Sequence, residues 1–189
     1  MNVFDFDKTI YNGDSTTHFC IFIACRHPRV ILDFIAALPL AVGYKIGRNT
    51  KTQMKERLYR AFSRIFDIEC EVELFWDKHF DRIEAWYLEI KKPDDVVISA
   101  SPEFLLEIPI KKLGIGTLIA SRVDMKTGKY TGLNCWGEEK PKRFAEHFGE
   151  GWESLSDNFY SDSYSDTPMA KIAKKAYIIK KHTPLDWGK

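Results

Sequence analysis

Up to Pro93 the apolar positions of this chain recur mostly at three- and four-residue spacings, and beyond it they gather in short unbroken runs. The first pattern is that of helices with one buried face, the second that of strands buried on both faces. The exception lies at the start, where Val3, Phe4 and Phe6 make a short apolar strand that stops in two acids, Asp5 and Asp7, with Lys8-Thr9 already turning. Tyr11-Asn12-Gly13-Asp14-Ser15 is a cluster of turn formers and offers Asp14 or Ser15 as a helix N-cap. Helices are predicted over 16–26, 28–47, 52–66 and 69–89, parted by Pro28, by Gly47-Arg48-Asn49 and by Asp67. Met54, Leu58, Ala61, Phe62 and Ile65 mark the buried stripe of the third; Val72, Phe75, Trp76, Phe80, Ile83 and Trp86 mark that of the fourth.

After Pro93 the elements alternate. A strand over 96–98 ends in Ser99-Ala100-Ser101-Pro102, and a helix over 103–113 and a strand over 116–120 follow. The segment 123–133 contains Lys126-Thr127-Gly128-Lys129, a hairpin turn signal. A helix over 138–148, a strand over 158–161, a helix over 169–174 and a strand over 176–179 complete the pattern. The fold class that follows is α/β, a Rossmann-like, mainly parallel sheet with a helical bundle inserted behind its first strand. Residues 1–15 and 87–189 make the α/β core, and 16–86 the insertion.

Composition narrows the function. The 28 Lys and Arg balance 27 Asp and Glu, which leaves no field for steering nucleic acid. A chain of 189 residues, 44% hydrophobic and 29% charged, suits a soluble globular protein of one domain with an inserted subdomain. Cys20, Cys25, Cys70 and Cys135 are too scattered for a zinc signature, and nothing before Asp5 reads as a signal peptide, so reduced thiols in a cytoplasmic protein are expected. The apolar segment 30–47 is interrupted by Asp33, Pro39 and Lys45, and is expected as a buried helix pair rather than a membrane or interfacial segment. His18, His27, His79, His147 and His182 show no metal-like spacing, and the sequence does not indicate an oligomeric state.

Three strand ends carry polar groups of one kind: Asp5 and Asp7, then Ser99, then Asp162 and Asp166. Parallel strands place their carboxyl ends on one edge of the sheet, so these groups can meet there. Clustered acids repel one another unless a hard cation such as Mg²⁺ neutralises them, and acids, a hydroxyl and a lysine together suit a phosphoryl group.

On these residues the chain resembles the haloacid dehalogenase superfamily, in particular its phosphoserine-phosphatase-like branch. Asp5-Phe6-Asp7-Lys8-Thr9 matches the first motif, Val96-Val97-Ile98-Ser99 the second, Lys140 after Gly137 the third, and Asp162-Ser163-Tyr164-Ser165-Asp166 the fourth. Lys8 stands where a glycine is usual, and Ser161 where one often precedes the fourth motif; Ser101 and Lys142 compete with Ser99 and Lys140. The resemblance implies that the insertion is an α-helical cap and that the protein is a phosphatase. Asp5 would be the nucleophile and Asp7 the general acid and base. Mg²⁺ would be held by Asp5, the Asp7 carbonyl and Asp162 with Asp166 in support. Ser99 and the Ala100 N–H would bind phosphoryl oxygens, and Lys140 would offset their charge. Asp14, at the position where such phosphatases read a substrate amino group, would face a small phosphorylated metabolite.

Blander roles are weighed beside these. Asp14 could only cap a helix; Cys135 and Trp136 read as packing residues; Glu138, Glu139, Lys142 and Arg143 read as a solvated face. A phospho-accepting regulatory module would need much the same acids, hydroxyl and lysine, and a phosphatase acting on a lipid-like phosphate through 30–47 is a further alternative.

Overall fold

The structure, a computed structural model, describes residues 1–188. Asn2–Phe4 forms strand β1, and a run of helices follows: α1 (Ser15–Arg26), α2 (Ile31–Ile35), α3 (Leu38–Lys45), α4 (Lys51–Tyr59), α5 (Ile68–His79) and α6 (Ala85–Ile90). Strands and helices then alternate through β2 (Val96–Pro102), α7 (Glu103–Leu113), β3 (Thr117–Ser121), α8 (Glu139–Phe148), β4 (Asn158–Ser161), α9 (Thr167–Ala170) and β5 (Lys175–Lys180), and β6 (Thr183–Asp186) closes the order. One sheet carries the strands in the order β3-β2-β1-β4-β5-β6, parallel except for β6 at its edge. This is the mainly parallel α/β architecture that the apolar pattern predicts. The sequence reading has no strand at β6, whose turn is made by Lys181 and His182 at φ 48° and 64° instead of the Asn-Gly that usually signals such a hairpin.

Period two sorts the strand residues between two cores. Val3, Val96, Ile98 and Phe159 pack with Phe144 of α8 and Met169 of α9. Phe4, Val97 and Tyr160 point the other way and join Phe19 of α1, Phe75 and Trp76 of α5 and Leu105 of α7. The inserted helices and that face of the sheet therefore share one apolar core. Polar caps fix where these helices begin: Asp14 accepts the Thr17 N–H, Thr50 and Gln53 form a reciprocal capping box, and Asp67 accepts the Cys70 N–H.

One contact ties the insertion to α7. Pro109 lies inside α7 and lacks the N–H that would bond to the Leu105 carbonyl one turn earlier. The Trp76 indole N–H donates to that carbonyl instead, at 2.6 Å. Trp76→Phe should lower stability by about 1–3 kcal/mol, the cost of a buried carbonyl left without a partner. Urea unfolding of Trp76→Phe, Pro109→Ala and the double variant checks the cause. The alanine N–H should recover part of the loss; full additivity would mean that the carbonyl is not its source.

The segment 30–47 differs from expectation. Val30, Asp33, Ala37 and Gly43 turn inward, but Ile31, Leu32, Ile35, Leu38, Val42 and Ile46 are exposed. Helices of 5 and 8 residues, the second with Pro39 in its first turn, have one side packed and nothing to cover the other. No helix among the described residues is long and apolar enough to cross a membrane.

Candidate active site

β1 ends at Phe4, yet the Asp5 N–H still donates to the Tyr160 carbonyl of β4, at 2.8 Å. That bond holds Asp5 at the carboxyl edge of the sheet. Lys140, in the first turn of α8, is 1% exposed, and its ammonium donates to Asp5 Oδ1 at 2.7 Å and to Asp166 Oδ2 at 2.6 Å. The Ser161 hydroxyl donates to the same Asp166 oxygen at 2.8 Å, while Asp166 Oδ1 is buried without a protein partner. Lys142 is exposed on the other side of the helix, so of the two lysines Lys140 reaches the acids. Burial pushes the Asp5 carboxyl up to about 7, against the pull of Lys140 and with a push from Asp166 and Asp162. Burial also opposes the Lys140 charge, but Asp5 and Asp166 more than offset it and hold the ammonium above the ordinary lysine range.

Asp7 has different neighbours. Its Oδ1 accepts the Ser15 N–H at 2.6 Å and its Oδ2 accepts the Ser101 hydroxyl, which also lies 2.9 Å from Thr16 Oγ1. Burial raises its pKa and nearby Asp14 adds to the rise, while the Ser101 and Ser15 hydrogen bonds hold it back. The two acids that stand together in sequence are thus set apart by chemistry, one against an ammonium and one against neutral donors.

Ser99, expected at the phosphoryl-binding position, lies behind the cleft wall. It is 1% exposed, and its hydroxyl accepts the Ser101 N–H at 3.1 Å. β2 runs beyond Ile98 to Pro102, and its register against β3 shifts between those two residues, which brings Ala100 and Ser101 to the wall. The Ala100 peptide is pinned through its carbonyl, which accepts from Lys55 Nζ at 2.8 Å and from the Ser121 hydroxyl at 3.1 Å.

Asp14 is both a helix cap and a residue of the cleft wall. Its Oδ1 caps α1 through the Thr17 N–H at 2.7 Å, and the residue lines the cleft. Gly13 before it has φ 127°, and a Cβ there would stand 2.4 Å from the His18 ring, so this turn requires glycine. Lys8, where glycine is usual, holds φ 57° in the left-handed region and lines the mouth with Asp162.

The cleft encloses about 290 Å³, near the lower end for small-ligand pockets. Part of its wall comes from residues given no such role in sequence. Lys51, Met54, Lys55 and Leu58 present one face of α4 to it, and Trp136 lines it with the Lys51 ammonium 4.7 Å from its ring centre. Burial lowers the Lys55 ammonium to about 8, with Lys51 adding to the effect. The loop after β3 steadies α4: the Tyr130 N–H donates to Glu56 at 3.0 Å, and a Cβ on Gly128 would fall 2.5 Å from the Arg60 nitrogen. Two lysines four apart on an otherwise apolar helix face were the available signal. Arg143, expected on a solvated face, is buried and donates to the Ala120 carbonyl at 3.0 Å.

Comparison with known proteins agrees with this architecture. A protein of Mycobacterium tuberculosis named "probable phosphatase" is 34% identical over 90 residues, covering 46% of this chain and 31% of that one. The match thus spans less than a third of the relative's length. A Bordetella pertussis Tohama I protein of unknown function superposes with a TM-score of 0.77 at 19% identity, covering 94% of this chain and 88% of that one. A phosphoserine phosphohydrolase-like protein from Francisella tularensis superposes with a TM-score of 0.55 at 14% identity, covering 96% and 88%. The haloacid dehalogenase-like hydrolase family matches residues 3–171, nearly the whole chain and all the strand ends described above, and this protein belongs to that family.

Proposed function

We propose that this protein is a Mg²⁺-dependent phosphatase that hydrolyses a small phosphomonoester through an aspartyl-phosphate on Asp5. The observation that carries the reading is the unlike setting of two neighbouring acids, both raised by burial: Asp5 lies against the Lys140 ammonium, and Asp7 among the neutral donors Ser15 and Ser101. A nucleophile and a proton donor need that difference. The names of the Mycobacterium and Francisella relatives point the same way.

In the proposed reaction a carboxylate oxygen of Asp5 attacks phosphorus and the bond to the ester oxygen breaks. Asp7 gives its proton to the departing oxygen. Asp7, now a carboxylate, takes a proton from water as that water attacks phosphorus; the Asp5–phosphorus bond breaks and inorganic phosphate leaves. Lys140 offsets charge between Asp5 and the phosphoryl oxygens, and the Ala100 N–H binds them from the cleft wall, while the Ser101 hydroxyl stays on Asp7 and Ser99 lies behind, accepting the Ser101 N–H. Helices α1 and α4 roof the cleft and exclude water, the role of a cap over 16–86.

The donor set suits Mg²⁺. It is all oxygen, and Asp166 Oδ1 lies buried without a protein partner. Among the described residues no three Asp, Glu, His or Cys side chains form a metal cage by themselves. Mg²⁺ does not need one, since it is usually held by one or two carboxylates with waters and substrate phosphate. Asp5, the Asp7 carbonyl and Asp162 would hold it, with Asp166 in support, and the bound ion would neutralise charge on the phosphoryl group.

Steady release of inorganic phosphate from p-nitrophenyl phosphate, dependent on added Mg²⁺ and abolished by chelator, is the expected result. A single stoichiometric phosphorylation without release would overturn the reading in favour of a phospho-accepting module. Asp14→Asn probes selectivity. Asparagine caps a helix nearly as well as aspartate, so Tm should hold. Loss of the charge at the cleft should raise KM for amino-bearing phosphates over that for glycerol phosphates; an unchanged KM ratio would remove Asp14 from substrate recognition.

A further inference from the structure

Ile31, Leu32, Ile35, Leu38, Val42 and Ile46 stand exposed on α2, α3 and the turn after them, with Leu32 73% and Ile46 60% exposed. Single exposed aliphatics are ordinary, but six on two consecutive short helices and the turn after them mark a surface that something covers. The charge around them says what. Arg29 precedes α2, Lys45 ends α3 and Arg48 follows it, and all three are exposed. The one acid between Pro28 and Thr50 is Asp33, which is buried and paired with Arg64 at 2.6 Å and Arg57 at 3.7 Å. The outer face is therefore aliphatic in the middle, cationic at both ends and free of exposed negative charge. A second copy docked face to face would oppose three cations to three cations. An anionic bilayer surface instead offers acyl chains to the aliphatics and phosphates to the cations. The helices are too short to span it.

We propose that the α2–α3 segment is an interfacial anchor that seats the protein on an anionic lipid surface, with its aliphatic side chains at the acyl boundary and Arg29, Lys45 and Arg48 among the headgroups. This docking is independent of the chemistry proposed for the cleft.

Vesicle flotation tests it. The wild-type protein should float with vesicles of phosphatidylcholine containing phosphatidylglycerol and much less with phosphatidylcholine alone. The triple variant Leu32→Ser, Leu38→Ser, Val42→Ser should stay in the aqueous fraction. Arg29→Gln, Lys45→Gln and Arg48→Gln should each weaken binding by roughly five-fold and flatten its dependence on salt. Circular dichroism and thermal melting establish that each variant is folded, which these exposed positions should allow. Wild-type protein that remains in the aqueous fraction with anionic vesicles would overturn the proposal. So would a serine variant that floats as well as wild type, or a wild-type dimer in vesicle-free buffer that the serine variant dissociates, since a second copy would then be the occupant.

Discussion

Lys140→Met should cut phosphate release by roughly 10²- to 10³-fold and lower stability by about 3–5 kcal/mol at neutral pH. The ammonium is buried between Asp5 and Asp166 at 2.7 and 2.6 Å, so its removal leaves two carboxyls in the core without their cation. The pH dependence carries a sign. Burial already holds Asp5 at about 7 against the downward pull of Lys140, and without that pull the carboxyl rises further above its unfolded value. The native variant then binds more protons than the unfolded chain, so its stability falls as pH rises. The deficit against wild type should widen above about 7 and shrink below it, where Asp5 is protonated in both proteins. Urea unfolding across that range, in chelator so that no cation substitutes for the ammonium, measures this. A deficit that does not change with pH would mean that Lys140 acts through the packing of its stem alone.

Much of this site was legible in sequence because strand ends are. Asp5-Phe6-Asp7, Val96-Val97-Ile98-Ser99 and Asp162 to Asp166 each follow an apolar run, and a parallel sheet brings the ends of such runs to one edge whatever their separation along the chain. The expectation fell short where local pattern and tertiary geometry part. Ser99 closes the apolar run, but the strand continues and shifts register, so Ser101 faces the cleft in its place. Lys51 and Lys55 carry no role in the sequence reading, because only the packing of α4 over the sheet edge turns one of its faces into a cleft wall. The segment 30–47 was apolar enough to be taken as core. Apolarity does not say whether a neighbour exists to cover it, and here α2 and α3 have one on a single side.

The division of labour between the first two acids gives the largest effect on chemistry. Asp5→Asn replaces the carboxylate that must bond phosphorus with a weakly nucleophilic amide, so turnover should vanish for every phosphomonoester. Asp7→Asn should cost 10²- to 10⁴-fold on esters with poor leaving groups, the usual worth of a general acid and base. The surroundings of Asp7 make that a clean test. An asparagine oxygen can still accept the Ser15 N–H, and its amide can donate to the Ser101 hydroxyl, which is free to donate in turn to Thr16. Melting temperature should therefore change little while the proton is lost. p-Nitrophenolate leaves without a proton, so Asp7→Asn should still transfer phosphate from p-nitrophenyl phosphate to Asp5, then stall because no base activates the water. A burst of p-nitrophenolate equal to the enzyme concentration, with a hydroxylamine-labile phosphate on the acid-quenched protein, is the expected outcome. The assignment fails if Asp5→Asn accumulates the same adduct, or if Asp7→Asn releases phosphate from alkyl esters at the wild-type rate.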